Sequence, residues 1–132
     1  MEIRVNDKTV VLGNHLFRTE DIVSIIDSDY FISFYMKSGN VTVIDISTVD
    51  RIKLTNDCRG KFADLGFIYT DGRYLNCNLI SAAWKDKNKL SIKWTSEVTN
   101  KTVPYEVCYP NSELDTEISK VLKFIEDNME KR

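Results

Sequence analysis

The chain has 132 residues, of which 42% are hydrophobic and 29% are charged, and its formal net charge is −2. These values are ordinary for a folded domain and exclude a disordered or fibrous chain. The length suits one domain that buries a core without disulfides or structural metals, so we expect a single domain over residues 1–132.

The longest apolar runs are too short to cross a membrane. The run YFISFYM ends long before the roughly 20 apolar residues that a membrane-spanning helix needs. The N-terminal stretch MEIRVNDKTVV carries charged residues where a secretory signal has its apolar segment. The sequence therefore predicts a cytoplasmic protein without a membrane segment.

The first third of the chain has the pattern of an antiparallel meander. EIRV and KTVVL flank Asn6-Asp7, which predicts a tight hairpin. NHLFRTED is a loop or a short strand that leads into DIVSIID. The next segments, YFISFYM and VTVIDI, are joined by turn residues at positions 38–40. We expect consecutive strands that are connected by short loops.

Residues 47–55 fit two kinds of structure. Val49 and Ile52 have the three-residue spacing of a helix, and Ser47 could cap its first turn. The same stretch also alternates as a strand would. The pattern favours a strand or a single helical turn, followed by a loop over residues 56–60.

A hairpin is predicted at Asp71-Gly72, because this dipeptide favours the positive φ angles of a two-residue turn. The strand before the turn is expected in FADLGFIYT, residues 62–70, with Ala63, Leu65, Phe67 and Tyr69 on one face. The strand after it carries two alternating sets of side chains: Arg73, Leu75, Cys77 and Leu79 on one face, and Tyr74, Asn76, Asn78 and Ile80 on the other. The second set is either a recognition surface or part of a sandwich or roll that buries both faces, and the latter is the default interpretation.

The remaining sequence completes the sheet and adds a helix. KLSIKWT and TVPYEVCY read as strands, and Pro104 places the second at an edge because proline cannot donate to a ladder. Ser112 begins a helix with an apolar stripe of Leu114, Ile118, Val121, Leu122, Ile125 and Met129. The predicted fold is α+β, in which antiparallel meanders of about seven to eight strands over residues 2–109 form a rolled sheet or barrel. One long C-terminal amphipathic helix over residues 112–131 caps it.

The order of these elements is similar to two known architectures, although no family motif accompanies it. One is the pleckstrin-homology-like barrel, in which seven strands are closed at one end by a C-terminal helix. The other is the Whirly or Pur-type arrangement, in which a four-stranded sheet and a helix occur twice. The second would require residues 47–55 to form the first helix.

The sequence shows few of the features that an enzyme active site needs. His15 is the single histidine, and the chain contains none of the glycine-rich, serine-elbow or histidine-pair motifs of common catalytic sites. Asp27 and Asp29 flank one serine, which turn chemistry explains without a metal. The three cysteines, Cys58, Cys77 and Cys108, lack metal-ligand spacing and are expected to be reduced. We expect a non-enzymatic protein with no cofactor and no metal.

The middle of the chain is basic. Residues 51–109 contain ten Lys and Arg against six Asp and Glu. The candidate partner-binding residues are Tyr74, Asn76, Asn78, Trp84, Lys85, Lys87, Lys89 and Lys93. Our first hypothesis is an adaptor module that engages a protein, or another copy of itself, through a sheet edge or a helix–sheet groove. The alternative is a single-stranded nucleic-acid-binding domain that uses the basic segment, with Tyr74 and Trp84 as stacking rings. A pI of about 5.4 favours the first.

Overall fold

The structure is a computed structural model that describes residues 1–86, 89–94, 105–108 and 114–131; at 86, 89, 105–108 and 114–116 it describes the backbone alone. Its strands are β1 (Ile3–Val5), β2 (Thr9–Leu12), β3 (His15–Arg18), β4 (Ile22–Asp27), β5 (Phe31–Met36), β6 (Val41–Asp45), β7 (Phe67–Thr70), β8 (Arg73–Asn76), β9 (Ile80–Asp86), β10 (Lys89–Trp94) and β11 (Tyr105–Cys108). Its helices are α1 (Thr48–Asp64) and α2 (Leu114–Glu130), and 3-10 turns at Thr19–Asp21 and Cys77–Leu79 precede β4 and β9.

The strands form three antiparallel sheets. The central sheet has the order β6-β5-β4-β8-β7, and the two smaller sheets have the orders β1-β2-β3 and β11-β10-β9. An α+β fold with antiparallel sheets and a C-terminal helix is therefore confirmed. Two details of the prediction are wrong, since the described residues contain eleven strands rather than seven or eight, and the sheets do not close into a barrel.

The central sheet is buried on both faces over β4, β8 and β7. One face packs in a core with α1 and the β1-β2-β3 sheet, and this core includes Phe34, Phe62, Phe67 and Tyr74. The other face packs in a second core with β9, β10 and α2, and that core includes Val23, Leu75, Ile92 and Ile118. The default interpretation of the strand after Asp71-Gly72, with both faces buried, is thus confirmed.

Helix α1 corrects the prediction for residues 47–60. Ser47 caps the helix, because its side chain accepts a hydrogen bond from the backbone N–H of Asp50 at 3.2 Å. The chain then stays helical for 17 residues, through the expected loop at 56–60 and past Ala63, where a strand was predicted. Only three side chains of the helix are fully buried, at a spacing of four residues: Leu54, Cys58 and Phe62.

The hairpin prediction and the C-terminal helix are confirmed. Asp71 and Gly72 have φ angles of 51° and 73° and connect β7 to β8 in a two-residue turn. The carbonyl of Gly72 also accepts a hydrogen bond from the N–H of Asp27 at 2.8 Å, which ties the turn to β4. In α2, the described part of the predicted stripe faces the second core, with Ile118, Val121 and Ile125 fully buried and Leu122 and Met129 partly buried. The side chain of Leu114 lies outside the described residues.

The chain repeats one order of elements. The first repeat runs from β2 to α1 and the second from β7 to α2, each with five strands and a helix of 17 residues. Strands β2 to β5 begin at residues 9, 15, 22 and 31, and β7 to β10 begin 58 residues later at 67, 73, 80 and 89. Within the described residues each repeat has five strands, whereas the repeated sheet–helix architecture considered from the sequence has four.

The repetition extends to the backbone hydrogen bonds. The N–H of Thr19 donates to the carbonyl of Lys8 at 2.9 Å, and the N–H of Cys77 donates to the carbonyl of Gly66 at the same distance. The repeats are joined within the central sheet, where β4 of the first pairs antiparallel with β8 of the second.

Candidate functional site

A group of apolar side chains lies exposed on the outer strands of the central sheet. Phe31, Tyr35, Val41 and Val43 are 44%, 36%, 49% and 58% exposed, although all four lie in regular strands. We call these four residues the edge patch. Single exposed apolar residues are normal, but a contiguous group on one face marks a candidate interaction surface.

The register of β5 and β6 places the edge patch on one face. Tyr35 lies opposite Val41 and Ser33 lies opposite Val43, and directly opposed residues share a face of the sheet. In the other direction Tyr35 lies opposite Ser24, which in turn lies opposite Leu75 of the second core. The edge patch is therefore the continuation of the second core's sheet face, beyond the part that β9, β10 and α2 cover.

Strand β6 forms the edge of this sheet. Within the described residues, no strand pairs with its outer side. Its sequence, VTVID, contains no Lys, Arg or Pro, and its register with β5 runs without a bulge. Natural sheets usually protect an exposed edge strand with charged residues, especially lysine, with proline or with a bulge. Strand β6 therefore has the features of an edge that can accept another strand.

The hydrogen bonds at both ends of the β5–β6 pair fix which backbone groups point outward. The N–H of Met36 donates to the carbonyl of Asn40 at 2.9 Å, and the N–H of Ile46 donates to the carbonyl of Tyr30 at 3.0 Å. In an antiparallel pair, residues that bond to the partner strand alternate with residues that do not. The even-numbered residues of β6 therefore bond to β5, and those that direct N–H and C=O groups outward are Val41, Val43 and Asp45.

The two ends of β6 carry opposite charges. The turn before β6, at residues 37–40, contains Lys37 as its one charged residue. The other end carries the exposed Asp45 on β6. Asp29 in the adjoining β4–β5 turn is exposed as well, but its carboxylate lies 3.9 Å from Nη1 of Arg51, so Asp45 is the main anion at this end. The edge is therefore bordered by a cation at one end and by anions at the other.

The other sheet edges whose side chains the structure describes, namely β1, β3, β7 and β9, differ from β6. Strand β7 is contacted by both helices, and β1 is contacted by α1. Strand β3 ends in the exposed Arg18, and β9 carries the exposed Lys85 near its end. The β9–β10 register also shifts between Lys93 and Trp94. Among the edges in the described residues, β6 thus combines regular pairing, no basic residue and exposed apolar side chains.

A polar cluster lies on the opposite face of the central sheet, under α1. The Asp27 side chain is only 6% exposed, and its Oδ1 lies 3.8 Å from Nη1 of Arg51. Asp27 Oδ1, Arg51 Nε and Tyr74 Oη are buried and form no hydrogen bond. Burial raises the pKa of the Asp27 carboxyl, and the nearby Arg51 only partly opposes this. Burial likewise raises the pKa of Tyr74 above its ordinary value.

Aromatic rings close this cluster. The ring of Tyr74 packs against those of Phe62 and Tyr69, with centroids 4.6 and 4.8 Å apart. The guanidinium of Arg59 lies over the ring of Tyr69 at 4.6 Å. The cluster therefore holds one buried carboxyl, Asp27, beside cations and phenols. The exposed carboxylate of Asp29 borders it, with Oδ1 3.9 Å from the same Nη1 of Arg51.

A polar groove of about 510 Å³ lies beside the first 3-10 turn, lined by Asp7, Lys8, Thr9, Arg18, Thr19 and Glu20. The equivalent positions of the second repeat, 58 residues later, lie where α2 contacts the second 3-10 turn and β7. There, Gly66 lies under Asn78 and Asn128, and a Cβ at this glycine would approach Asn78 Nδ2 to 2.8 Å. The first repeat thus has an open groove at the positions that α2 contacts in the second repeat.

The structure separates the residues that the sequence analysis grouped as a partner surface. Tyr74 and Asn76 are each 1% exposed, so neither lies on a surface. The amide of Asn76 donates to the carbonyl of Ile22 at 2.8 Å, and the half-buried Asn78 donates to the carbonyl of Leu65 at 2.8 Å. These asparagines connect strands and turns of the fold rather than present free amides.

The basic residues of the predicted surface do not lie together with Tyr74. Trp84 is exposed on β9, and Lys93 and Lys85 are exposed as well. Trp84 lies opposite Ser91, and Lys93 lies opposite Ala82, so Trp84 and Lys93 share a face, whereas Lys85 lies on the other. Lys87 and the side chain of Lys89 lie outside the described residues. Among the described residues, Trp84, Lys85 and Lys93 therefore do not share a surface with the buried ring of Tyr74.

The remaining candidates give no reactive constellation. His15 is exposed at the start of β3, and its ring lies parallel to that of Phe17 at 6.1 Å. Cys58 and Cys77 are buried, and burial raises the pKa of the Cys58 thiol. The Cys108 side chain lies outside the described residues. In the described part of the chain, no three His, Cys, Asp or Glu side chains converge as metal ligands would.

The helices give no sign of a membrane span. Neither α1 nor α2, as far as the structure describes them, is long and apolar enough to cross a bilayer.

Comparison with known proteins adds no relative. No protein-family model, no curated protein and no solved structure matches this chain.

The edge patch was not predicted, although the sequence contains a signal for it. In YFISFYM the residues between the core positions include Phe31 and Tyr35, so β5 is apolar on both faces. Such a strand is usually buried on both sides, and the sequence does not tell which face stays uncovered.

Proposed function

We propose that this protein is a non-catalytic binding module that engages a protein partner along β6. The partner adds an extended segment to the central sheet and contacts the edge patch beside it. The observation that carries the proposal is a regular edge, with no strand paired to it within the described residues, next to contiguous exposed apolar side chains. In strand addition, main-chain hydrogen bonds supply affinity and side-chain contacts supply specificity.

Affinity capture with matched baits tests this function. Val43→Lys places a charge at the centre of the edge patch, whereas Leu16→Lys makes the same change at an exposed position of β3. We expect the wild type and Leu16→Lys to capture a shared set of proteins from the native host, and Val43→Lys to lose members of that set. Capture of the same proteins by all three baits would count against β6 as the binding edge.

One observation supports single-stranded nucleic-acid binding as a second candidate, namely the shared exposed face of Trp84 and Lys93. An aromatic ring beside a cation is the minimal unit of a stacking platform. We place this function second because Tyr74 is buried and Lys85 lies on the other face. Fluorescence anisotropy with a labelled single strand at physiological salt is expected to show no binding, and binding that Trp84→Ala abolishes would promote this candidate.

A further inference from the structure

We propose that the protein pairs with a second copy of itself, edge to edge, through β6. This inference rests on the proposed function and names its partner. Two central sheets of five strands would join across a two-fold axis into one sheet of ten. Such a contact is isologous, because each copy contributes the same strand, and two-fold dimers are the commonest closed assembly.

The outward backbone groups of β6 determine the pairing. Val41, Val43 and Asp45 direct their N–H and C=O groups away from β5, as argued above from the flanking hydrogen bonds. When two antiparallel copies of β6 are centred on Val43, each of these residues meets an outward residue of the other copy. Val43 then faces Val43 of the second copy, and Val41 faces its Asp45. This register uses all three outward residues and lets each pair exchange two hydrogen bonds.

The side chains are compatible with this register. The central contact is between two valines, which form a favourable apolar cross-strand pair. No two like charges lie directly opposite each other, since Asp45 meets Val41. The two-fold axis that relates the copies is perpendicular to the sheet. Both edge patches therefore lie on the same side of the joined sheet and become one continuous surface.

The charges at the ends of β6 favour the same arrangement. Antiparallel pairing brings the turn with Lys37 next to the end of the second strand, which carries Asp45 and lies beside Asp29. The contact occurs twice in the dimer because of the two-fold axis. A parallel pairing would instead place Lys37 near Lys37 and Asp45 near Asp45. Charge complementarity of this kind selects orientation more than it adds affinity.

Cysteine cross-linking tests the register directly. In the proposed dimer the Cα atoms of Val43 in the two copies lie about 5.5 Å apart, within the range of a disulfide. The Cα atoms of Val41 lie roughly 13 Å apart, because four residues separate their positions along the strand. In a Cys108→Ser background, we expect mild oxidation to convert Val43→Cys into a covalent dimer and to leave Val41→Cys uncross-linked. Equal cross-linking of both variants, or none, would overturn the register.

Sedimentation tests the assembly without cross-links. We expect the wild type to have about twice the mass of the 15.3 kDa chain at micromolar concentration. Leu16→Lys should remain a dimer and Val43→Lys should become a monomer that keeps the wild-type circular dichroism spectrum. Lys37→Glu should raise the dimer dissociation constant severalfold, and Lys37→Glu with Asp45→Lys should restore it. A wild type that is monomeric at all accessible concentrations would overturn the proposal.

The two proposals fail separately. A monomeric wild type that still loses captured proteins upon Val43→Lys would refute self-pairing and leave β6 as a binding edge for another protein. Both proposals would be refuted if Val43→Lys changed neither the set of captured proteins nor the dimer of the wild type.

Discussion

Three buried polar atoms in the cluster under α1 have no hydrogen-bond partner: Asp27 Oδ1, Arg51 Nε and Tyr74 Oη. Leaving a buried polar group without a partner costs about 1–3 kcal/mol. These residues lie where α1 meets β4 and β8, so each polar atom opposes the packing of the helix on the sheet. Substitutions that remove the polar atom and keep the shape are therefore informative.

Tyr74→Phe is expected to stabilise the protein by about 1 kcal/mol. The substitution removes the buried hydroxyl and keeps the ring contacts with Phe62 and Tyr69. Urea denaturation of the two proteins measures the difference in unfolding free energy. A loss of stability would show that the hydroxyl is hydrogen-bonded in solution.

Asp27→Asn is expected to change stability in a pH-dependent manner. Burial raises the pKa of Asp27 in the folded state above its value in the unfolded chain, against the lowering effect of Arg51. The folded state therefore binds this proton more tightly, so the contribution of Asp27 to stability is fully present below the unfolded pKa and is lost as pH rises through the folded pKa. Thermal melts should show Asp27→Asn gaining stability relative to wild type as pH rises above the ordinary aspartate pKa of about 3.9 and through the raised pKa of the folded state. A difference that is constant with pH would mean that the pKa is unshifted.

The two helices show how far a stripe of apolar residues predicts a helix. The predicted helix over residues 112–131 has six apolar residues in one stripe, and the structure places α2 at Leu114–Glu130. Helix α1 buries only Leu54, Cys58 and Phe62, and its other positions are mostly charged or polar, with Gly60 in its last turns. Such a narrow stripe gives weak helical periodicity, so tertiary packing rather than sequence pattern identifies α1 as a helix.

Phe62→Ala tests the docking of α1. Phe62 is fully buried and its ring lies 5.6 Å from that of Phe67 and 4.6 Å from that of Tyr74. Removing it should cost about 3–5 kcal/mol in unfolding free energy, measured by urea denaturation. Ile52→Ala, at an exposed position of the same helix, should cost about 0.5 kcal/mol or less. Similar values for the two variants would contradict the packing of α1 against the sheet.

The hairpin at Asp71-Gly72 was predictable because its turn chemistry is local. The burial of both faces of the following strand, β8, was not predictable in this way. Whether Tyr74 and Asn76 face solvent depends on what covers the second face of β8, and α1 supplies that cover from an earlier part of the chain. The same difficulty applies to the candidate site. Phe31 and Tyr35 are as apolar as their buried neighbours in β5. They stay exposed because the second core ends before it reaches β5 and β6, which only the structure shows.

At the scale of the whole molecule, two repeats share one sheet. The pairing of β4 with β8 makes the central sheet common to both, and a core lies on each of its faces. A single domain over residues 1–132 stays a prediction, which this shared sheet supports. Sequence similarity does not reveal the repetition, because the aligned elements keep their positions while most residue identities differ.

The shared sheet also has a consequence for biosynthesis. A ribosome makes β4, β5 and β6 well before β8, so the side of β4 that will pair with Leu75 stays unpaired until residue 76 has emerged. During that interval the nascent three-stranded sheet has two open edges, whereas the finished sheet has β8 and β7 beside β4. Unpaired edges and uncovered apolar faces make partly folded chains prone to aggregate. Translation speed over residues 46–76 therefore sets how long the growing chain is vulnerable to association with its neighbours on a polysome.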